Sequence, residues 1–266
     1  MTRPLILVTN DDGFRSRGLW AAAEAALAIG DILVVAPRVQ QTGVGRSMPS
    51  TSEGRITTER ISIQGQEQMI YAVDGTPAQA VVHGLLELAP RKPDLAIAGI
   101  NYGENVGTGV TISGTVGAAL EAASHGIPAL AVSLETAPEY YFSYSEAVDF
   151  RVAAHFTRRF AERLLSLVRP DDVDVLKIEV PGSATEATPW RVTRLSRQRY
   201  FIPVPTPRDS FDQPGPVGYR VSVEESVEPD SDVQALYYDK VVAVTPLSLD
   251  LTSRISLAEL EQALDF

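Results

Sequence analysis

The feature that most constrains this chain is a series of short, unbroken apolar runs. They read Leu5-Ile6-Leu7-Val8, then ILVVA over Ile32–Ala36, LAIAGI over Leu95–Ile100, and a further run over Ile127–Leu134. A strand with one wet face alternates apolar and polar residues, whereas a strand buried on both faces is apolar throughout. Between the runs lie stretches of helical character: Trp20–Ile29 closed by Gly30, Ala78–Leu88, the small-residue stretch Gly114–Ser124, and the longest, Ala147–Val168. Another strand is predicted over Val173–Val180, and alternation on both sides of Gly65-Gln66 predicts a hairpin over Ile61–Val73. Buried strands alternating with helices imply an α/β fold with a mostly parallel sheet covered by helices on both faces.

The texture changes after Pro181. Residues 181–230 are rich in Pro, Ser and charge, with short β-like pieces such as Trp190-Arg191-Val192-Thr193. The reading is a core over residues 1–182 and, within the same single unit, an extension over 183–266. That extension holds a projecting hairpin, a returning strand at Lys240–Thr245, and a terminal helix. Ser256 with Glu259 three residues on forms a capping-box pattern at its start. Leu257, Leu260 and Leu264 fall at helical spacing and need an apolar surface to cover them.

Composition removes several classes of function. With 266 residues and 44% hydrophobic content, the chain can bury a large core. Lys and Arg number 23 against 34 Asp and Glu, a net charge of −11 that disfavours wrapping a nucleic acid duplex. A small anion is still admissible, because a bound divalent cation inverts the field inside a site. No cysteine is present, so disulfides and thiolate zinc sites are excluded. The opening MTRPLILVTNDDG has too short an apolar run for a signal peptide or a membrane span, and a cytoplasmic location is expected.

Ligands of an open parallel sheet sit beyond the carboxyl ends of its strands. The first run is followed by Asn10-Asp11-Asp12-Gly13, the second by Ala36-Pro37-Arg38-Val39-Gln40-Gln41-Thr42-Gly43-Val44-Gly45, the third by Asn101-Tyr102-Gly103-Glu104-Asn105. Two carboxylates, a hydroxyl and an amide thus face one edge. Such hard oxygen donors suit Mg²⁺ or Mn²⁺ rather than zinc. Adjacent Asp residues alone also fit a turn or helix cap; three oxygen-rich loops at equivalent strand ends favour a metal. Ser113-Gly114-Thr115 opens the small-residue helix, where free N–H groups and the helix dipole make an anion site. The bland alternative is a serine cap with glycines permitting close packing. Asp74-Gly75-Thr76-Pro77 reads equally as a further donor or a plain turn with Pro at the first helical position. His83, His125 and His155 share no metal-like spacing, and no GxxxxGK[ST] phosphate loop occurs. The aromatics Tyr140-Tyr141-Phe142 and Tyr144 fit either a base-stacking surface or a loop packing on itself.

Taken in order, ILVTNDDG, VVAP…TGVG, VDGTPAQAV, PDLAIAGINYGENVG and ISGTVGAALEAASHGIPALAVS resemble the SurE family of survival nucleotidases. The later segments LKIEVP, RVTRLSRQRY and VVAVTPLSLDLT are similar too, so the resemblance spans nearly the whole chain. It implies a Rossmann-like core and a metal-dependent phosphatase acting on nucleoside 5′- and 3′-monophosphates, with short polyphosphate as a further substrate. It implies one divalent ion per subunit, Mg²⁺ or Mn²⁺, held by Asp11, Asp12 and Asn101. The fourth ligand, usually serine, falls on Thr42, which keeps the hydroxyl and adds a methyl. Arg38 and Val39 stand where the family usually reads Asp-Arg. A homodimer or homotetramer with exchanged C-terminal tails is also implied.

The chemistry expected is attack of metal-activated water on phosphorus, with Asp11 and Asp12 catalytic. Asp12 is also a candidate for orienting that water as a general base. Asn105, Ser113, Gly114 and Thr115 would stabilise the phosphoryl oxygens, and Asn10 and Gly43 are assigned with them to phosphate or substrate. A nucleotide-binding regulatory module without turnover is the alternative, favoured only by the Arg38-Val39 departure.

Overall fold

A computed structural model describes residues 3–224 and 226–265. Met1, Thr2, Glu225 and Phe266, which fall within the two predicted spans, lie outside them. The first run becomes β1 (Leu5–Thr9), buried at all five positions. The second becomes β2 (Asp31–Pro37), and the hairpin becomes β3 (Ile56–Ile63) with β4 (Gln66–Val73). β3 begins earlier than the predicted hairpin: Thr57, Thr58, Glu59 and Arg60 lie exposed on a sheet edge, where polar residues discourage unwanted pairing. The third and fourth runs become β5 (Leu95–Tyr102) and β6 (Ala129–Leu134), followed by β7 (Val175–Val180).

β8 (Trp190–Val192) and β11 (Val242–Leu247) complete a nine-stranded sheet in the order β3-β4-β2-β1-β5-β6-β7-β11-β8. From β4 through β7 all neighbours are parallel; β3 joins β4, and β11 joins β7, antiparallel. Both β8 and β11 lie beyond residue 183, so much of the C-terminal segment is built into the main sheet. Between them β9 (Phe201–Val204) and β10 (Gly218–Val221) form a separate antiparallel ribbon, the projecting hairpin.

Helices cover both faces. α1 (Arg17–Leu27) and α4 (Arg151–Ser166) bury one core with Ile6, Val8, Leu19, Ile97, Phe156 and Ile178. α2 (Pro77–His83) and α3 (Gly114–Ser124) bury the other, built on Leu7, Val35, Val81, Val116 and Ile127. α1 starts before the predicted Trp20 because Ser16 accepts the Leu19 N–H and caps it. α2 is shorter than predicted, its last part continuing as a single wide turn over Gly84–Leu88. α4 is likewise trimmed, beginning at Arg151. α5 (Leu257–Leu264) is capped by Ser256 as predicted, and none of its residues is buried.

Chain order locates the site. From β1 the chain winds outward to β2 and β4, then returns to place β5 on the other side of β1. α1 and α3, leaving β1 and β5, lie on opposite faces, so the backbone diverges at the carboxyl ends of these neighbours. A crevice opens at such a switch point.

Candidate metal and active site

Asp11 and Asp12 occupy the turn that leaves β1. Asn10 closes it: its Nδ2 donates to the Gly13 carbonyl at 3.1 Å and its Oδ1 accepts the Gly13 N–H at 3.2 Å. Gly13 supplies the positive φ, +96°, that the turn needs. Fully buried and engaged at both ends, Asn10 acts as a brace of the turn. Both carboxylates are held by fixed donors. Thr115 Oγ1 donates to Asp11 Oδ1 at 2.5 Å, and the Gly114 and Thr115 N–H groups also turn toward that carboxylate. A Cβ on Gly114 would stand 2.7 Å from the Asp11 Cβ and 2.8 Å from Oδ2, so this approach requires glycine. Asp12 Oδ2 accepts the Tyr102 N–H at 3.3 Å, and Oδ1 accepts from Gln40 Nε2 at 3.2 Å.

Two carboxylates only 4% and 2% exposed carry an electrostatic cost. Burial pushes both upward from the usual carboxylate range, and repulsion from Asp11 adds to the shift at Asp12. Among the described residues no Lys, Arg or His pairs with either. The neighbouring loops supply neutral oxygens. Asn101, at the end of β5, gives its Nδ2 to the carbonyls of Tyr102 (3.1 Å) and Gly103 (2.7 Å), which turns its Oδ1 away from them. Thr42 is exposed, and its Oγ1 accepts from the same Gln40 nitrogen at 2.9 Å. Two acids, an amide oxygen and a hydroxyl form an all-oxygen donor set that a Mg²⁺-like ion would fit. No trio of His, Cys, Asp or Glu assembles among the described residues, so carboxylates alone could not complete the shell.

A family model described as Survival protein SurE matches residues 6–201. The chain belongs to the SurE family. A protein named 5′-nucleotidase SurE from Thermococcus gammatolerans is 41% identical over 261 residues, covering 97% of this chain and 95% of its own. Its namesake from Thermococcus kodakarensis is 39% identical, covering 97% and 98%. The crystal structure of the SurE protein from Aquifex aeolicus superposes with a TM-score of 0.75 at 30% identity, covering 98% of this chain and all of that one.

Within this SurE chain, Gln40 carried no signal in the sequence, and the aromatic loop left two readings open. Gln40 is the hub: besides Asp12 and Thr42, its Nε2 reaches the Tyr141 carbonyl at 2.7 Å, tying three loops together. Tyr144 donates its hydroxyl to the Asp12 carbonyl at 2.9 Å, so the aromatic loop packs onto the metal turn. Tyr141 instead points to the buried Glu104, whose carboxyl is pushed up by burial and also met by Tyr200. A glutamine or tyrosine in a loop has no spacing rule, and only the folded contacts reveal such roles. The Thr42–Gly45 loop leans on the first turn of α3, where Gly117 leaves room for the Gly45 carbonyl. Gly43 is exposed at φ +78° with open space around it.

At the departure, the Arg38 N–H bonds the Val73 carbonyl at 2.7 Å while its Nε is buried without a partner; Val39 is exposed. Ser113 caps α3 by accepting the Val116 N–H at 3.1 Å. Thr76 caps α2 in a full capping box with Gln79 and donates to the Ser47 carbonyl, a structural role that accounts for its motif. His125 caps the end of α3 beside Glu121 and stands outside the site. Asn105 is half-buried, its Nδ2 donating to Ser133 Oγ at 2.9 Å.

Proposed function

We propose that this chain is a cytoplasmic, metal-dependent phosphomonoesterase that releases phosphate from nucleoside 5′- and 3′-monophosphates, with short polyphosphate as a secondary substrate. The observation that carries the reading is the pair of buried, uncompensated carboxylates beside neutral oxygen donors at the switch point of the sheet. Kinship with proteins named 5′-nucleotidase supports the substrate class. Asp11, Asp12, Asn101 and Thr42 would hold one divalent ion, Mg²⁺ or Mn²⁺. Bound there, the ion would polarise a phosphoryl oxygen and lower the pKa of a water.

The chain's own groups do the rest. Thr115, Gly114 and the Tyr102 N–H hold both carboxylates in fixed rotamers, so no reorganisation is needed when charge develops. The positive end of α3, framed by Ser113, Gly114 and Thr115, favours an incoming phosphoryl group. Asn105 and the open backbone at Gly43 supply further donors. Asp12, whose Oδ1 accepts from Gln40, would orient the attacking water.

A phosphate-release assay with AMP, Mg²⁺ or Mn²⁺, and EDTA tests the reading. Release that stops with EDTA and returns with metal is expected. AMP binding without turnover would establish the regulatory alternative instead.

The tail fits the same reading as an assembly element. Leu257, Leu260 and Leu264 on α5 are 67%, 39% and 58% exposed, so this chain does not cover them. A second copy exchanging tails in a dimer or tetramer would do so. Truncation before Ser253 is expected to lower the mass seen by light scattering; an unchanged mass would refute tail exchange.

A further inference from the structure

Away from the metal turn, one buried ionic group is not used by the chemistry above. Lys177, Glu179 and Asp232 are each 0% exposed. Lys177 and Glu179 are two residues apart on β7 and so share a face of the sheet. Lys177 Nζ lies 3.3 Å from Glu179 Oε1 and 3.1 Å from Asp232 Oδ2. Two oxygens of this group also reach a single loop. Glu179 Oε2 accepts the Asn105 N–H at 2.9 Å, and Asp232 Oδ2 accepts the Gly107 N–H at 3.1 Å. Ser133, opposite Glu179 across the β6–β7 pair, receives the Asn105 side chain. Asp232 Oδ1 accepts from the backbone of Ser196 and Val233, both at 2.9 Å, which fixes the aspartate itself.

We propose that the Lys177–Glu179–Asp232 triad is a positioning element for Asn105, fixing where its carboxamide stands toward a bound phosphoryl group. The proposal rests on the hydrolase reading above. A buried ion triad seldom adds net stability over apolar residues of the same volume, so filling the core does not account for it. What it does provide is orientation. Anchors at the Asn105 and Gly107 backbone, with a third on the Asn105 side chain, leave this polar residue little freedom. Its remaining amide hydrogen and its Oδ1 can then serve the substrate without an ordering cost. Misplacing such a group by about an ångström can reduce a rate by roughly 100-fold.

The test uses Glu179→Leu, which removes the acceptor for the Asn105 N–H, and Glu179→Gln, which keeps an oxygen there. Each is made alone and with Asn105→Ala. AMP hydrolysis is measured along with backbone amide hydrogen exchange at Asn105 and Gly107. Glu179→Leu should lower kcat/KM by about 100-fold and deprotect the Asn105 amide. Glu179→Gln should restore protection and most of the activity. In the Asn105→Ala background, Glu179→Leu should cost little more, because residues acting as one unit are not additive.

Wild-type kcat/KM in Glu179→Leu, or an equal loss with and without Asn105, would overturn the positioning role. If Glu179→Leu fails to fold, Glu179→Gln decides by exchange and turnover together: Asn105 amide protection and activity that are kept or lost together support the role, and either one lost without the other refutes it. A wild type that releases no phosphate would refute the hydrolase reading itself, a result separable from the others.

Discussion

Glu179 and Asp232 share a buried lysine, whereas Asp11 and Asp12, buried almost as deeply, share none. In the first group Lys177 offsets one of the two carboxylate charges, and four backbone N–H groups answer the oxygens. In the second, the donors are a hydroxyl, a side-chain amide and backbone N–H groups, and the net charge is left standing. The difference marks the second group as the candidate ion site: where no resident cation offsets buried carboxylates, a bound one would supply the compensation.

The sharpest way to break this comparison is to make the first group resemble the second. Lys177→Met removes the resident cation and leaves two carboxylates facing each other in the core. Removing one partner of a buried pair costs about 3–5 kcal/mol, so a large fall in melting temperature is expected. A variant as stable as the wild type would show that the triad is not ionised as drawn.

The reverse change in the second group should act on activity and spare the fold. Asp11→Asn and Asp12→Asn should each lower turnover by about 1,000-fold, the equivalent of roughly 4 kcal/mol of lost transition-state stabilisation. Because each removes one of two repelling buried charges, the variants in EDTA should melt no lower than the wild type. A drop of several degrees would mean that the carboxylates are satisfied without a metal, and the contrast with Glu179 and Asp232 would fail.

That contrast was only half legible in the sequence. The buried runs, the helix Gly114–Ser124 and the Asp-Asp-Gly turn are local patterns, and each stands where the pattern put it. Parallel pairing then brings loops from distant segments to one edge, so the loops bearing Asp11, Thr42 and Asn101 were readable as neighbours. The triad was not: Lys177 and Glu179 look like ordinary alternation in a strand, and their partner Asp232 is 55 residues from Lys177. The brace at Asn10 was also hidden, since a turn-closing amide follows no spacing rule of its own. The first part of edge strand β3, Thr57 to Arg60, escaped because its residues are polar.

A third prediction uses pH. Burial, partly opposed by Lys177 and the Asn105 N–H, pushes Glu179 up to about 7. Between its ordinary value of 4.5 and about 7, the folded state holds a proton that the unfolded state has lost. Stability should therefore fall as pH rises through that window, by up to about 3 kcal/mol, and level off above it. Lys177 stays charged throughout, its own value raised by the two carboxylates that face it. The stability difference between wild type and Glu179→Gln, measured by urea unfolding from pH 4.5 to 8, isolates this contribution. A difference that does not change with pH would place the titration elsewhere.

The smallest expected effect lies at Thr42, the most exposed member of the proposed ligand set. Its hydroxyl is held by Gln40, which also holds Asp12, so the oxygen sits in a fixed relation to one carboxylate. Thr42→Val keeps the branched shape and removes only that oxygen, while Thr42→Ser keeps the oxygen and removes the methyl. If the hydroxyl faces the ion, Thr42→Val should weaken Mn²⁺ binding by about 10-fold, close to the value of one polar contact. Thr42→Ser should bind as the wild type does. Calorimetric titration with Mn²⁺ reads both without relying on turnover. Equal affinity in all three proteins would remove Thr42 from the ligand set and leave Asp11, Asp12 and Asn101 as its protein members. The carboxylates would still lack a cationic partner among the described residues, so the contrast with the lysine-bound pair would survive with a smaller shell.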